Sequence, residues 1–205
     1  QGPNTGGMGA YSPAPVVTDE IHQRIMNEVI YPTVEGMASE GHPYTGFLYA
    51  GLMIDETGTP KVIEYNCRFG DPETQPMMLR LQSDLVELIE AANRVELDKT
   101  TIEFDSRAAV GVVLAAKGYP DNYPKGDAIS GLKVTYPEGE KVFHAGTKQD
   151  GDSIVTAGGR VLCATALGNT VTQAQQRAYK LVDEISWDGM EYRTDIAYRA
   201  IAREQ

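Results

Sequence analysis

Three polar side chains alternate along one otherwise apolar segment of the chain, residues 61–69 (KVIEYNCRF). Because successive side chains of a β-strand point to opposite faces, Glu64, Asn66 and Arg68 are predicted to share a face at intervals of about 6.6 Å. A carboxylate and an amide oxygen suit a hard cation such as Mg²⁺, which takes its other ligands from water and phosphates. A guanidinium beside them suits a phosphoryl or carboxylate oxygen. The spacing therefore indicates chemistry on a phosphoryl group.

The same residues also have a purely structural interpretation. An alternating strand commonly has one solvated face, and glutamate, asparagine and arginine are ordinary residues on it. The segment that follows, residues 70–75 (GDPETQ), carries more acid and amide groups than a plain turn requires. This composition favours a functional loop without excluding the solvated face. The opposite face of the strand is predicted to pack in a core; it carries Ile63, Tyr65, Cys67 and Phe69.

A second candidate loop is the glycine-rich segment near the start of the sequence, residues 2–9 (GPNTGGMG). Such a loop can present backbone N–H groups to an anion. It is not a P-loop, since no Gly-Lys-Ser/Thr follows, and its glycine spacing differs from the dinucleotide-binding motif. From the residues alone, a flexible connector explains it equally well.

Composition excludes several classes of function. The chain has 205 residues, of which 41% are hydrophobic, as in an ordinary soluble globular protein. Its net charge of −11 opposes binding to nucleic acid or anionic membranes, and no apolar run approaches the roughly 20 residues of a membrane span. Cys67 and Cys163 lie in apolar runs and are predicted to be reduced core residues of a cytoplasmic protein. The three histidines match no metal-ligand spacing.

The elements that position the polar strand can be predicted from turn-forming residues, helix-capping residues and hydrophobic periodicity. Residues 46–54 and 61–69 are two apolar runs separated by a turn signal at 55–60, which predicts an antiparallel hairpin. Thr18 is predicted to cap an amphipathic helix before this hairpin, and Ser83 a second helix after it.

The second half of the sequence has a different pattern. Charged residues cluster at about 95–106, which predicts a boundary between a domain over 1–104 and another over 105–205. Beyond it, the pattern predicts a β-rich domain closed by a helix that Thr170 or Thr172 caps. Gly158-Gly159 is predicted to join the last two strands in a tight hairpin. The predicted strands are 108–116, 132–136, 142–145, 154–157 and 161–167.

Two longer motifs resemble one family. Residues 2–13 (GPNTGGMGAYSP) and 62–76 (VIEYNCRFGDPETQP) together resemble the phosphoribosylamine–glycine ligases of the ATP-grasp superfamily, and the likeness runs the whole chain. The resemblance implies an α+β fold, in which 1–104 is the C-terminal part of an ATP-grasp domain, an antiparallel sheet with helices. A small β-rich C-terminal domain with a packing helix follows over 105–205. The family's sugar-phosphate domain and nucleotide-gripping lobe have no counterpart, so the chain resembles the C-terminal half.

The resemblance also implies a reaction. These enzymes ligate glycine to 5-phosphoribosylamine through a glycyl phosphate, giving glycinamide ribonucleotide, ADP and phosphate in purine biosynthesis. They use ATP as co-substrate and Mg²⁺ or Mn²⁺ as metal. The implied partners are therefore these small molecules and the missing N-terminal half, in the cytoplasm, with neither nucleic acid nor membrane.

The resemblance assigns roles to residues matched by position. Glu64 and Asn66 resemble the metal ligands, and Arg68 resembles the catalytic residue that steadies the phosphoryl group. Asp71 and Glu73 resemble substrate-binding residues. The same role is implied for a set in the glycine-rich loop, namely Asn4, Thr5, Gly6 and Gly7.

The sequence departs from the superfamily at one point. Many ATP-grasp enzymes supply a further acidic metal ligand from the paired strand, whereas residues 46–53 contain no carboxylate before Asp55. Two other functions stay open. Because the nucleotide-gripping lobe has no counterpart, the chain could be a non-catalytic fragment, and it could also belong to another ATP-grasp carboxylate–amine ligase.

Overall fold

The computed structural model describes residues 5–204, which form two compact units. The sheet unit consists of the described residues through Ser12 together with 71–81 and 104–204. The hairpin unit consists of 13–70 and 82–103. Both units combine helices with antiparallel strands, so the predicted α+β class is confirmed. The domain division at 104/105 stays a prediction.

The sheet unit is built on a four-stranded antiparallel sheet. Its spatial order is β1, β4, β8, β5, so the glycine-rich loop leads into an edge strand. Pro13 directly follows β1, which is consistent with the restriction of proline to strand edges and ends. The strands are β1 (Gly9–Ser12), β4 (Ala108–Ala115), β5 (Glu140–His144) and β8 (Arg160–Gly168).

Helices cover both faces of the central strands. Every residue of β4 is buried, and β8 is buried from its second residue onward. Helix α5 (Val171–Glu184) packs on β4 and β8, and α3 (Thr74–Arg80) also contacts both strands. This double coverage explains why the predicted strand at 108–116 reads as a continuous apolar run instead of an alternation.

Several predictions for this unit are confirmed and others are wrong. Thr170 caps α5, its hydroxyl oxygen accepting the Gln173 N–H. Residues 132–136 form no strand. The Gly158-Gly159 hairpin is also wrong, because β7 (Ser153–Thr156) pairs with β6 (Thr147–Asp150) and not with β8. The last helix of the unit is α6 (Tyr198–Ile201).

The hairpin unit begins with a helical stretch of three parts. The Thr18 hydroxyl accepts the Ile21 N–H and caps α1 (Asp19–Ile25), as predicted. A π-helical segment, Met26–Ile30, then leads into α2 (Tyr31–Ser39). Pro32 is the second residue of α2, which directly follows the π-helical segment.

The predicted hairpin is present with shorter strands. It pairs β2 (Tyr49–Ile54) with β3 (Pro60–Asn66) in antiparallel register. Helix α4 (Leu85–Asn93) follows, and its cap is Asp84, whose carboxylate accepts the Val86 N–H. The predicted cap Ser83 instead accepts the Glu103 N–H. Among residues 5–204, no helix is long and apolar enough to cross a membrane.

The predicted core face of β3 is wrong. Ile63 is 65% exposed and Tyr65 is 42% exposed, although the Tyr65 hydroxyl hydrogen-bonds Thr33 at 2.7 Å. Cys67 is exposed as well, which corrects its predicted burial, whereas Cys163 is buried as predicted. The physical reason is that this sheet has only two strands among the described residues, too few to bury a face completely.

Candidate functional site

Glu64 and Asn66 lie together on the last part of β3. The register sets Gly51 opposite Glu64 and Tyr49 opposite Asn66. The register shifts between Gly51 and Leu52, which leaves Ile63 as the extra residue of a β-bulge. Because the two polar residues follow the bulge and are two positions apart, their side chains share one face.

The strand across the hairpin leaves room for the Glu64 side chain. A Cβ added at Gly51 would lie 3.1 Å from the Glu64 Cγ, tighter than ordinary van der Waals contact. Glu64 itself is exposed, and its carboxylate makes no hydrogen bond or ion pair with another residue of 5–204. The carboxylate therefore has both the space and the vacant oxygens that a ligand requires.

Arg68 does not extend this row as the sequence predicted. Strand β3 ends at Asn66, and Arg68 lies in the bend beyond it. Its guanidinium donates to the Phe69 carbonyl at 2.7 Å and is exposed. Side chains alternate between two faces only within a strand, and Arg68 lies beyond the end of β3. The strand therefore does not place Glu64, Asn66 and Arg68 on one face.

One of the three polar residues, Asn66, lines a cavity of the hairpin unit. A largely apolar cavity of about 280 Å³ lies beside α2 and includes Asn66 and Cys67 in its lining. Glu64 and Arg68 do not contribute to it. A cavity shared by all three side chains stays a prediction.

A divalent metal ion fits Glu64 and Asn66 by the chemistry of these donors. Both side chains offer hard oxygen ligands, and two protein ligands suffice for Mg²⁺, which keeps several waters and binds phosphates. Among the described residues, no group of three or more His, Cys, Asp or Glu side chains could hold a metal. A metal at this position would therefore depend strongly on phosphate oxygens.

The loop that follows β3 contains the predicted substrate-binding residues Asp71 and Glu73. Asp71 belongs to the sheet unit, where its carboxylate accepts the Arg160 Nη2–H at 2.7 Å. Glu73 is half-buried and immediately precedes α3. Asp71 is thus held by a strand residue 89 positions further along the chain.

The glycine-rich loop meets the Asp71 loop at close range. The Gly7 carbonyl accepts the Arg160 Nη1–H at 3.1 Å, and the same nitrogen donates to the Asp71 carbonyl at 2.9 Å. Thr5 is half-buried, and Gly6 and Gly7 are exposed. Asn4 lies outside the described residues. The structure therefore brings together the loop of Thr5, Gly6 and Gly7 and the loop of Asp71.

Packing disfavours a larger side chain at two glycines of this loop, Gly6 and Gly7. A Cβ at Gly7 would lie 2.5 Å from the Pro72 Cδ, and one at Gly6 would lie 2.9 Å from the Tyr119 hydroxyl. Both distances are below any normal contact. The residues are glycines because neighbouring side chains occupy the space, a reason that the anion-cradle interpretation did not consider.

Cys163 is a buried cysteine near Asp71 and Arg160, and its thiol is unreactive at neutral pH. Burial raises the pKa of its thiol to about 12, against the opposing effect of a hydrogen bond with Thr165. Such a thiol stays protonated at neutral pH and is no nucleophile.

Sequence reasoning missed Arg160 and Gly51. Arg160 contacts residues 153 and 89 positions away, and no local pattern announces such a contact. Gly51 has a weak signal, because a glycine inside an apolar strand often marks a bulge or a close approach.

Solved structures define the fold class. The chain is similar to the biotin carboxylase domain of Hydrogenobacter thermophilus 2-oxoglutarate carboxylase, solved with MgADP, at a TM-score of 0.62 and 17% identity. That match covers 90% of this chain and 40% of the other, and at this identity it shows the fold alone. Residues 1–74 match the model of the phosphoribosylglycinamide synthetase ATP-grasp (A) domain, so the fold is of the ATP-grasp type.

The particular family follows from three findings. Residues 109–199 match the phosphoribosylglycinamide synthetase C domain. The chain is 74% identical over 205 residues to the phosphoribosylamine–glycine ligase of Vibrio parahaemolyticus, and it resembles the Thermotoga maritima ligase structure with a TM-score of 0.79 and 38% identity. The chain belongs to the phosphoribosylglycinamide synthetase family.

The matches also show how much of each relative this chain covers. They cover 100% of this chain but 48% of the Vibrio protein, and 96% of this chain but 48% of the Thermotoga chain. The chain therefore spans about half the length of the relatives that it matches.

Proposed function

We propose that this chain supplies the C-terminal half of a phosphoribosylamine–glycine ligase, which joins glycine to 5-phosphoribosylamine and converts ATP to ADP and phosphate. The observation that carries the proposal is the pair Glu64 and Asn66 side by side after the bulge of β3, opposite Gly51. It occurs in a chain that matches the family along its whole length.

The proposed chemistry has two steps. A glycine carboxylate oxygen attacks the γ-phosphorus and ADP leaves, which gives glycyl phosphate. The amine of 5-phosphoribosylamine then attacks the acyl carbon, phosphate leaves, and the nitrogen loses a proton. Both steps produce charge on phosphate oxygens, which must be neutralised in place.

Residues of the hairpin unit are assigned to the phosphoryl group. Glu64 and Asn66 would hold Mg²⁺ or Mn²⁺, which when bound neutralises phosphate charge. Arg68 uses one N–H for the Phe69 carbonyl, and a guanidinium has five donors, so others stay available for a phosphoryl oxygen. Asp71, Glu73 and the glycine-rich loop with Asn4, Thr5, Gly6 and Gly7 are assigned to the substrates.

The remaining half of the family's length is the proposed partner. ATP-grasp enzymes hold nucleotide between two lobes, and Glu64 and Arg68 are both exposed here. We therefore assign the remaining ATP contacts to that N-terminal half, in one cytoplasmic enzyme that uses ATP, glycine and 5-phosphoribosylamine.

The test is replacement of Glu64 in the full-length protein. Glu64→Ala is expected to lower kcat for ADP release by about two orders of magnitude, because the metal ion that would neutralise phosphate charge loses a ligand. Glu35→Ala, an exposed glutamate of α2 in the same unit, is the matched control and should keep full activity. Near-normal turnover of Glu64→Ala would reject the assignment. Replacing glycine with other amino acids would separate this ligase from one with a different acid substrate.

The exposure of Glu64 and Arg68 supports a second candidate, a chain that binds little by itself. Titration of MgATP into the isolated chain tests it by heat or melting temperature. Micromolar binding would contradict it, and no measurable binding is the expected result.

A further inference from the structure

We propose that Arg160 is a positioning residue of the substrate site, which holds the glycine-rich loop and the Asp71 loop in one fixed arrangement. The inference rests on the proposed function, because it concerns the residues assigned there to the substrates. Arg160 itself is not assigned to contact substrate. Its role is to fix the direction of the Asp71 carboxylate and of the Gly7 backbone.

The guanidinium of Arg160 satisfies three acceptors on two loops. Nη1 donates to the carbonyl oxygens of Gly7 and Asp71 at 3.1 and 2.9 Å, and Nη2 donates to the Asp71 carboxylate at 2.7 Å. The planar group therefore sets both the backbone and the side chain of Asp71. The Asp71 side chain is 51% exposed, and the second oxygen of its carboxylate has no partner among residues 5–204. That oxygen is oriented and available.

Packing around Arg160 leaves these loops little freedom. A Cβ at Gly6 would lie 3.1 Å from the Arg160 Cζ, and one at Gly7 would lie 2.5 Å from the Pro72 Cδ. On the strand side, a Cβ at Gly159 would lie 2.3 Å from a Tyr119 ring carbon. Gly6, Gly7 and Gly159 thus allow the backbone, the Arg160 guanidinium and neighbouring rings to pack closely. Because of this packing, we expect a change in the Arg160 contacts to move the Gly7 and Asp71 loops.

The electrostatic setting makes the contacts strong. The Arg160 side chain is 21% exposed and that of Asp71 is 51% exposed, so solvent screens the pair only in part. Hydrogen bonds with charged partners are roughly twice as strong as neutral ones. Lysine would keep the charge at this position but would lose the planar fork that meets the three acceptors.

The chain offers a matched control in Arg177. Its guanidinium also donates to two carbonyls and one carboxylate, namely Leu167, Glu138 and Glu140. Both arginines belong to the sheet unit and both side chains are largely buried. Within residues 5–204, Arg177 makes no hydrogen bond to a residue assigned to substrate. Glutamine at either position removes an equivalent set of bonds.

The experiment compares Arg160→Gln, Arg160→Lys and Arg177→Gln in the full-length ligase. Arg160→Gln is expected to raise KM for glycine or for 5-phosphoribosylamine about tenfold, with KM for ATP within twofold of the parent. Arg160→Lys should recover part of the loss. Arg177→Gln should lower the melting temperature comparably and leave every KM within twofold. In the background of Asp71→Asn, Arg160→Gln should add little, because Arg160 acts through Asp71.

Three results would overturn the proposal. They are unchanged KM values in Arg160→Gln, an equal rise of all KM values including that for ATP, or the same KM pattern in Arg177→Gln. If Arg160→Gln does not fold, Arg160→Lys carries the test, and its KM values equal to the parent's would refute the role. Absence of glycine-dependent ADP release in the parent protein would instead reject the proposed function.

Discussion

Replacement of Gly51 by alanine tests whether the space opposite Glu64 serves metal binding. The added Cβ would meet the Glu64 Cγ at 3.1 Å and the Tyr49 ring at 3.5 Å. Glu64 must then move by a few tenths of an ångström at Cγ, with a larger change at the carboxylate through rotation of its side chain. Ligand groups must be held within about 0.5 Å of their productive geometry, so this movement is sufficient to weaken binding.

The expected magnitude separates function from stability. An exposed side chain adjusts cheaply, so we expect a steric cost below about 1 kcal/mol. The same substitution restricts the unfolded chain and stabilises the fold by about 0.4–1 kcal/mol. These terms nearly cancel, so the melting temperature should change by less than about 3 °C. The Mn²⁺ or Mg²⁺ concentration for half-maximal activity should rise about five- to tenfold.

The assay is ADP release by the full-length protein across a metal titration, with thermal unfolding on the same samples. Gly36→Ala is the control, because Gly36 lies inside α2 and a Cβ there meets nothing within 4 Å. It should stabilise the protein and leave the metal requirement unchanged. An unaltered metal requirement in Gly51→Ala would refute the positioning argument, even with Glu64 as the ligand.

Two further predictions concern the sheet unit and the cysteines. Glu204 accepts hydrogen bonds from the N–H groups of Val171 and Thr172 and from the Thr172 hydroxyl. Burial raises the pKa of the Glu204 carboxyl, but the hydrogen bonds together outweigh burial, so the pKa is lowered overall. Because the folded-state pKa is lowered, the stabilisation is present at neutral pH and is lost as the pH falls through that pKa. Denaturant unfolding should show that Glu204→Gln lowers the free energy of unfolding at pH 7 by about 0.5–1 kcal/mol, because the carboxylate is exposed and solvent partly screens its hydrogen bonds. This difference should narrow in acid, and an unchanged free energy of unfolding at pH 7 would contradict the cap. In the native chain a maleimide should label the exposed Cys67 and leave Cys163 unmodified until denaturant is added. The reason is that Cys163 is buried, which raises the pKa of its thiol to about 12. Rapid labelling of both cysteines in the native chain would refute the burial of Cys163.

The elements that depend on local chemistry were predictable. Thr18 and Thr170 are caps with a nearby N–H to satisfy, and the structure has both caps. The turn at 55–60 determined the antiparallel hairpin, because its signal lies within a few residues of the strands that it joins. The apolar run at 108–116 predicted a buried strand, since only a strand covered on both faces has that pattern.

Predictions that needed tertiary information were wrong. Gly158-Gly159 has the composition of a hairpin turn, but β8 takes its partners from 140–144 and 108–115, and β7 pairs with 147–150. Alternation along 61–69 assumed an unbroken strand, whereas a bulge at Ile63 and a bend after Asn66 interrupt it. A bulge depends on the register of the partner strand, which one segment cannot specify.

The glycines of the candidate site follow one physical rule, and the sequence conceals it. Gly7 makes room for Pro72, Gly6 for Tyr119 and Arg160, and Gly51 for Glu64. In each case a side chain from another segment occupies the space that a Cβ would need. These glycines are therefore explained by close packing and not by a need for flexibility. A glycine-rich loop is commonly interpreted through its own backbone, as an anion cradle or a connector. Here the glycines are better explained by the side chains that pack against them, namely Pro72, Tyr119 and Arg160. Arg160 also bonds the carbonyl groups of Gly7 and Asp71, so the proposed arrangement of the two loops depends on it, although its local sequence gives no sign of this role.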